Sequence, residues 1–121
     1  MPTSEADALP PGAVVVVPFP YSDRLQEKRR PALVISSPDV AAAGFVWIAM
    51  ITSGRNPAKP HDVSIEDLNH AGLMRASVVR PIKIACIDPA RVLKRIGALR
   101  PPAAEQVFAT IRSMVGLSPI P

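Results

Sequence analysis

The chain has 121 residues, of which 48% are apolar and 20% charged, and a formal net charge of +4. That length supports one domain with a real core and excludes two, and the apolar content excludes a mostly disordered chain. Cys86 is the only cysteine, which excludes an internal disulfide and fits a reducing, cytoplasmic setting.

Residues 1–11 combine Glu5 and Asp7 with small residues and a Pro-Pro pair, and read as a loose tail before a single domain over 12–116. A basic region followed by an apolar stretch is missing there, so no secretory signal is expected, and no apolar run reaches transmembrane length. Gly12 opens Ala13-Val14-Val15-Val16-Val17, a run apolar at every position and expected to be a central strand. Pro18-Phe19-Pro20 is expected to end its regular pairing. Residues 21–30 form a polar loop of mixed charge in this reading, long enough to be functional. Pro31 forces Arg30 into an extended conformation, and Ala32-Leu33-Val34-Ile35 continues as a short buried strand ending near Ser36.

Residues 38–44 read as a connection and 45–51 as the next strong strand, followed directly by Thr52-Ser53-Gly54. Residues 62–65 suggest a short strand, and Asn69-His70-Ala71-Gly72 a turn. Ser77-Val78-Val79-Arg80 resumes strand character, Pro81 marks an edge or bulge, and the strand continues from Ile82 to Ile87. Cys86 lies in this apolar run and is expected to be a buried structural thiol. Pro101-Pro102 then starts a helix whose residues Ala104, Val107, Phe108, Ile111 and Val115 form one apolar stripe. That stripe is expected to dock on the domain's own core. Gly116 is expected to close the helix, Pro119 prevents its continuation, and residues 117–121 form a C-terminal tail. Five or six short strands, one late helix and no strand–helix alternation predict a mainly β fold: a small antiparallel barrel with a C-terminal helix.

The chemistry visible in the sequence is sparse. His61, Asp62, His70 and one cysteine do not make a metal-ligand spacing, and neither a nucleophile elbow nor a phosphate-binding glycine loop is present. What remains is a set of cations and hydroxyls at strand ends: Arg30, Thr52, Ser53, Arg80 and Lys83. If the strands that begin near Arg30 and end near Thr52 are antiparallel neighbours, a forked permanent cation and a small hydroxyl share one end of the sheet. Such a pair suits a phosphate.

Gly12-Ala13-Val14-Val15-Val16-Val17-Pro18-Phe19, Arg30-Pro31-Ala32-Leu33-Val34-Ile35-Ser36, Ile51-Thr52-Ser53-Gly54, Ala71-Gly72-Leu73, Ser77-Val78-Val79-Arg80 and Ile84-Ala85-Cys86-Ile87-Asp88 follow in an order that resembles the MazF/PemK toxin family. The resemblance covers residues 12–115. It implies an SH3-like barrel with a C-terminal helix, a homodimer, and the growth-inhibiting toxin of a type II toxin–antitoxin pair. It further implies a metal-independent, cofactor-free endoribonuclease, an mRNA interferase, that cuts single-stranded RNA by attack of the 2′-hydroxyl on the adjacent phosphate. The matching positions make Arg30 and Thr52 catalytic, and Ser53 and Arg80 RNA contacts. Lys83 would position a neighbouring phosphate, and Arg29 would track the RNA backbone or touch the cognate acidic antitoxin.

This chain departs from the family pattern in having Ala13 where an acid is common after the first glycine. It also has Ile82 where some relatives carry an aspartate, which leaves the general base open, with His61 and Glu27 as candidates. The competing readings are a gyrase poison of the CcdB type and a passive RNA-binding module. CcdB-type toxins end their last helix with a tryptophan, whereas this chain reads Val115-Gly116-Leu117.

Overall fold

A computed structural model describes residues 9–19 and 28–116. The expectations for the 1–8 and 117–121 tails, for the loop residues 20–27 and for Glu27 therefore lie outside the described residues. Six strands form one antiparallel sheet: β1 (Ala13–Phe19), β2 (Lys28–Val34), β3 (Val46–Ser53), β4 (Val63–Ser64), β5 (Ser77–Ile87) and β6 (Lys94–Ala98). Their order across the sheet is β4-β5-β3-β2-β1-β6, and the curled sheet forms a half-barrel. Among the described residues three α-helices, α1 (Pro38–Ala42), α2 (Leu68–Ala71) and α3 (Pro101–Met114), and a 3-10 turn at Pro89–Arg91 accompany the sheet. No helix among the described residues is long and apolar enough to cross a membrane.

Burial on both faces explains the unbroken apolar runs. On one face Ala13, Val15, Val17, Ala32, Val34, Ile48 and Met50 form a core cluster. On the other, Val14, Leu33, Ala49, Ile51 and Val79 pack with Val107 of α3. β1 lies between β2 and β6, as its sequence predicts. The helix stripe docks on the second cluster through Ala104, Val107 and Ile111, with Ala103 beside them. α3 starts without a side-chain cap, because Arg100 has no acceptor to offer its first amides.

Several local expectations are corrected. β1 pairing persists through Pro18↔Arg29 and Phe19↔Lys28, so Pro18 does not end it, and Pro20 lies outside the described residues. Arg29 and Arg30 accordingly belong to β2 rather than to a loop. That strand stops at Val34, and buried Ser36 then accepts a hydrogen bond on its Oγ from the Trp47 amide at 3.0 Å. The 38–44 connection contains α1, and the expected turn at 69–72 is the helix α2, with the Asp67 side chain accepting from the His70 amide. α3 ends with Val115 extended, so Gly116 does not close it, and the Val115 side chain is 55% exposed instead of docked. Cys86 is exposed. It sits opposite Trp47 on the half of β5 that lies beyond the β4 pairing at Val78 and Val79, where one strand neighbour is all that flanks it among the described residues. An apolar run therefore does not guarantee burial here.

Pro81 does sit at an irregularity. Ala49 pairs with Ile84 but Met50 pairs with Arg80, so residues 81–83 are extra on β5. The Pro81 ring is fully buried while Ile82 is 58% exposed.

Candidate functional site

The site grows out of the β2–β3 register. Ala32 lies opposite Met50 and Val34 opposite Ile48, which places these side chains on one face. Alternation puts Arg30 and Thr52 on that same face, and the register continued by two residues sets them opposite one another. Hydrogen-bonded pairing stops at Ala32↔Met50, so the strands part where the two side chains sit. A cavity of about 280 Å³ opens there, lined by Arg30, Thr52, Ser53, Leu73, Arg75 and Ser77 among others. Its polar lining consists of two guanidinium side chains and three hydroxyls, a donor-rich surface suited to an anion. A cavity of about 320 Å³ beside α3 carries Glu66 and the Asp67–Arg100 ion pair, a lining without the excess of cations a polyanion favours.

Thr52 is buried, with 4% of its surface exposed. Its Oγ1 accepts a hydrogen bond from Asn56 Nδ2 at 2.6 Å. Ser53 accepts from the Arg55 amide at 3.1 Å and turns the chain out of β3. The β3–β4 loop that follows is clamped from below. Val63↔Val79 pairing brings Asp62 beside Arg80, and the Arg80 Nε and one Nη each donate to the Asp62 carboxylate at 3.0 Å. The same Nη also donates to the Pro57 carbonyl at 3.1 Å. Both side chains of this pair are largely shielded, at 12% and 11% exposure. The Arg80 guanidinium holds the Asp62 carboxyl below its ordinary value against an opposing effect of burial, with the Lys59 amide adding a further hydrogen bond.

The opposite wall follows α2. Gly72 caps that helix in the left-handed region at φ +76, and a Cβ there would collide with the Ile96 carbonyl oxygen. Gly97 of β6 faces the same contact from the other side, where a Cβ would meet the His70 and Ala71 backbone at 2.5 and 2.6 Å. Two glycines thus let α2 rest directly on β6, and Leu73, Met74 and Arg75 leave this contact as the cavity wall.

Of the residues singled out in the sequence, the structure brings Arg30, Thr52 and Ser53 together. Arg80 is engaged by Asp62 and Pro57, beneath the loop rather than along the cavity. Lys83 is exposed in the β5 bulge, and Arg29 is exposed on β2 with alternation directing it away from the Arg30 face. His61 is exposed, sits at φ +75 and does not line the cavity. Arg75, Asn56 and the Asp62 clamp were missed by sequence reasoning. The Asp62–Arg80 pair joins residues 18 apart and Arg75 reaches the cavity wall beyond α2, so no local pattern encodes either, whereas Asn56 bonds Thr52 across four residues of a single turn. Among the described residues no group of three or more His, Cys, Asp and Glu side chains is placed to hold a metal ion.

A curled six-stranded antiparallel sheet, closed by a C-terminal helix and bearing a cationic, hydroxyl-rich cavity at the parting of two strands, defines the class. Residues 10–115 match the family described as the PemK-like, MazF-like toxin of type II toxin–antitoxin systems, and the chain belongs to that family. Solved structures share its fold. The MazF of Deinococcus radiodurans superimposes with a TM-score of 0.70 at 23% identity, covering 89% of this chain and 96% of that one. The toxin MazF-mt6 of Mycobacterium tuberculosis gives 0.68 at 20% identity, covering 88% and 98%. An endoribonuclease from a Mycobacterial species, in complex with its cognate antitoxin, gives 0.70 at 17% identity, covering 93% and 98%. No curated protein matches the chain by sequence.

Proposed function

We propose that the chain is an endoribonuclease toxin that cleaves single-stranded RNA at the Arg30–Thr52 cavity. The observation carrying this reading is the shared face of Arg30 and Thr52, where β2 begins and β3 ends, in a cavity lined by hydroxyls and a second arginine. The RNA 2′-oxygen forms a bond to the adjacent phosphorus as the bond from phosphorus to the 5′-oxygen breaks. The 2′-hydroxyl loses its proton and the departing 5′-oxygen gains one, leaving a 2′,3′-cyclic phosphate and a 5′-hydroxyl end. Arg30 offsets the charge that builds on the phosphoryl oxygens, acting as an electrostatic stabiliser because a guanidinium does not give up its proton. Thr52 donates to one of these oxygens and fixes its orientation. Arg75 and Ser53 lie along the same cavity and contact flanking nucleotides. The scheme assigns no step to a metal.

In this reading the active form is a homodimer held in check by a cognate antitoxin. Phe45, Trp47, Ile82 and Ile84 are each 45–58% exposed, at the start of β3 and along β5 from its bulge, an apolar surface of the kind that seats a second copy. The function is tested by incubating the protein with a defined single-stranded RNA in EDTA and mapping the ends. The expected products are 2′,3′-cyclic phosphate and 5′-hydroxyl termini. Intact RNA that is nonetheless retained on the protein makes it a passive binder, and cleavage abolished by EDTA removes the metal-free scheme.

A further inference from the structure

We propose that Asn56 is a positioning residue that sets the direction of the Thr52 hydroxyl, an inference that rests on the ribonuclease reading above. A threonine hydroxyl has one proton to give and two lone pairs to accept with. Asn56 Nδ2 donates to Thr52 Oγ1 at 2.6 Å, a short contact on an otherwise buried side chain. The Thr52 proton cannot also point at that amide, because two donors do not pair. It is left to point elsewhere, and Thr52 lines the cavity that holds Arg30. An amide donating into the oxygen also polarises the O–H bond and makes it a stronger donor toward a phosphoryl oxygen.

Asn56 does not hold this place by itself. The next residue, Pro57, gives its carbonyl to Arg80 at 3.1 Å, and Arg80 is fixed in turn by two hydrogen bonds to Asp62. The Asn56 amide is bonded back to the Ser53 carbonyl at 3.1 Å, closing the turn between them. The Arg80–Asp62 pair therefore reaches the cavity through the loop backbone, and Asn56 is the side chain by which it does so. The proposal gives Arg80 a role distinct from touching RNA.

The test is a mutant cycle on cleavage of a defined RNA, with kcat and KM read separately and folding checked by thermal melting. Asn56→Ala is expected to lower kcat about 10-fold with little change in KM. Asn56→Asp keeps the shape but can only accept, so it draws the Thr52 proton toward itself, and a loss of about 100-fold is expected. In a Thr52→Val background the Asn56→Ala change is expected to cost nothing further. Asn56→Ala at the wild-type kcat, Asn56→Asp at least as active as Asn56→Ala, or a full loss retained in the Thr52→Val background each overturns the proposal. Undiminished cleavage by both Arg30→Ala and Thr52→Val, measured in the same series, overturns the placement of catalysis at this cavity and the Asn56 role with it, whereas RNA left intact by the wild type overturns the ribonuclease reading itself.

Discussion

The two walls of the candidate site are held by different physics. The β3–β4 loop is tied down by a charged clamp, Asp62–Arg80, whose hydrogen bonds also capture the Pro57 carbonyl. The segment after α2 is instead placed by steric fit, with Gly72 and Gly97 letting two backbones touch. A polar clamp responds to protonation and depends on both partners. A backbone contact ignores pH and tolerates no added atom. The loop carrying Asn56 should therefore be the adjustable wall and the segment carrying Arg75 the fixed one.

The largest effect on stability is expected at the steric wall. Gly97→Ala has no flexible side chain to push aside, only the His70 and Ala71 backbone. Destabilisation of about 3 kcal/mol or more in denaturant unfolding is the expected result. A Gly97→Ala protein as stable as wild type would show that α2 does not rest on β6 in this way. The polar wall ranks next. Asp62→Asn retains shape but removes the charge that meets Arg80, and should cost about 1–3 kcal/mol.

That second effect carries a pH signature. The native Asp62 carboxyl lies below its ordinary value because Arg80 holds the charged form. A group depressed in the folded state stabilises above its unfolded pKa, and its contribution is lost as pH falls through the folded value. The stability gap between wild type and Asp62→Asn should stay constant from neutral pH down to about 5 and shrink below about 4. A gap unchanged through that range would mean that Asp62 acts by packing alone. Gly97→Ala should show no such dependence.

The smallest effect is expected at the Arg100–Asp67 pair, which joins the start of α3 to the cap of α2 through a 2.8 Å hydrogen bond. Its side chains are 59% and 41% exposed. Arg100→Ala should lower the melting temperature only slightly at low salt and not measurably at high salt. A larger loss would make this contact part of the steric wall's support.

The sequence legibility of the two walls follows the same division. β1, β3, β5 and α3 were readable because apolar periodicity and proline placement are local signals, whereas the Arg30–Thr52 juxtaposition was readable only on the condition, met by the β2–β3 register, that the two strands are antiparallel neighbours. The beginning of β2 was not readable, since Lys28, Arg29 and Arg30 look like loop residues until Phe19, Pro18 and Val17 pair with them. Neither wall was legible. The Asp62–Arg80 clamp spans 18 positions, and Arg80 reads as a free phosphate contact until its carboxylate is seen. Gly97 sits in a short strand with nothing beside it in sequence to reveal that α2 comes to rest there. Cys86 fails for a related reason: it is exposed between Ala85 and Ile87, which pack into the core, on a stretch of β5 that has β3 as its one strand neighbour among the described residues.

The most direct test of the central claim is the cleavage rate of Arg30→Ala on a defined single-stranded RNA, beside wild type, with melting curves for both. The account predicts a loss of about 10²–10³-fold in kcat with the fold retained. Cleavage by a folded Arg30→Ala protein at the wild-type rate would contradict it.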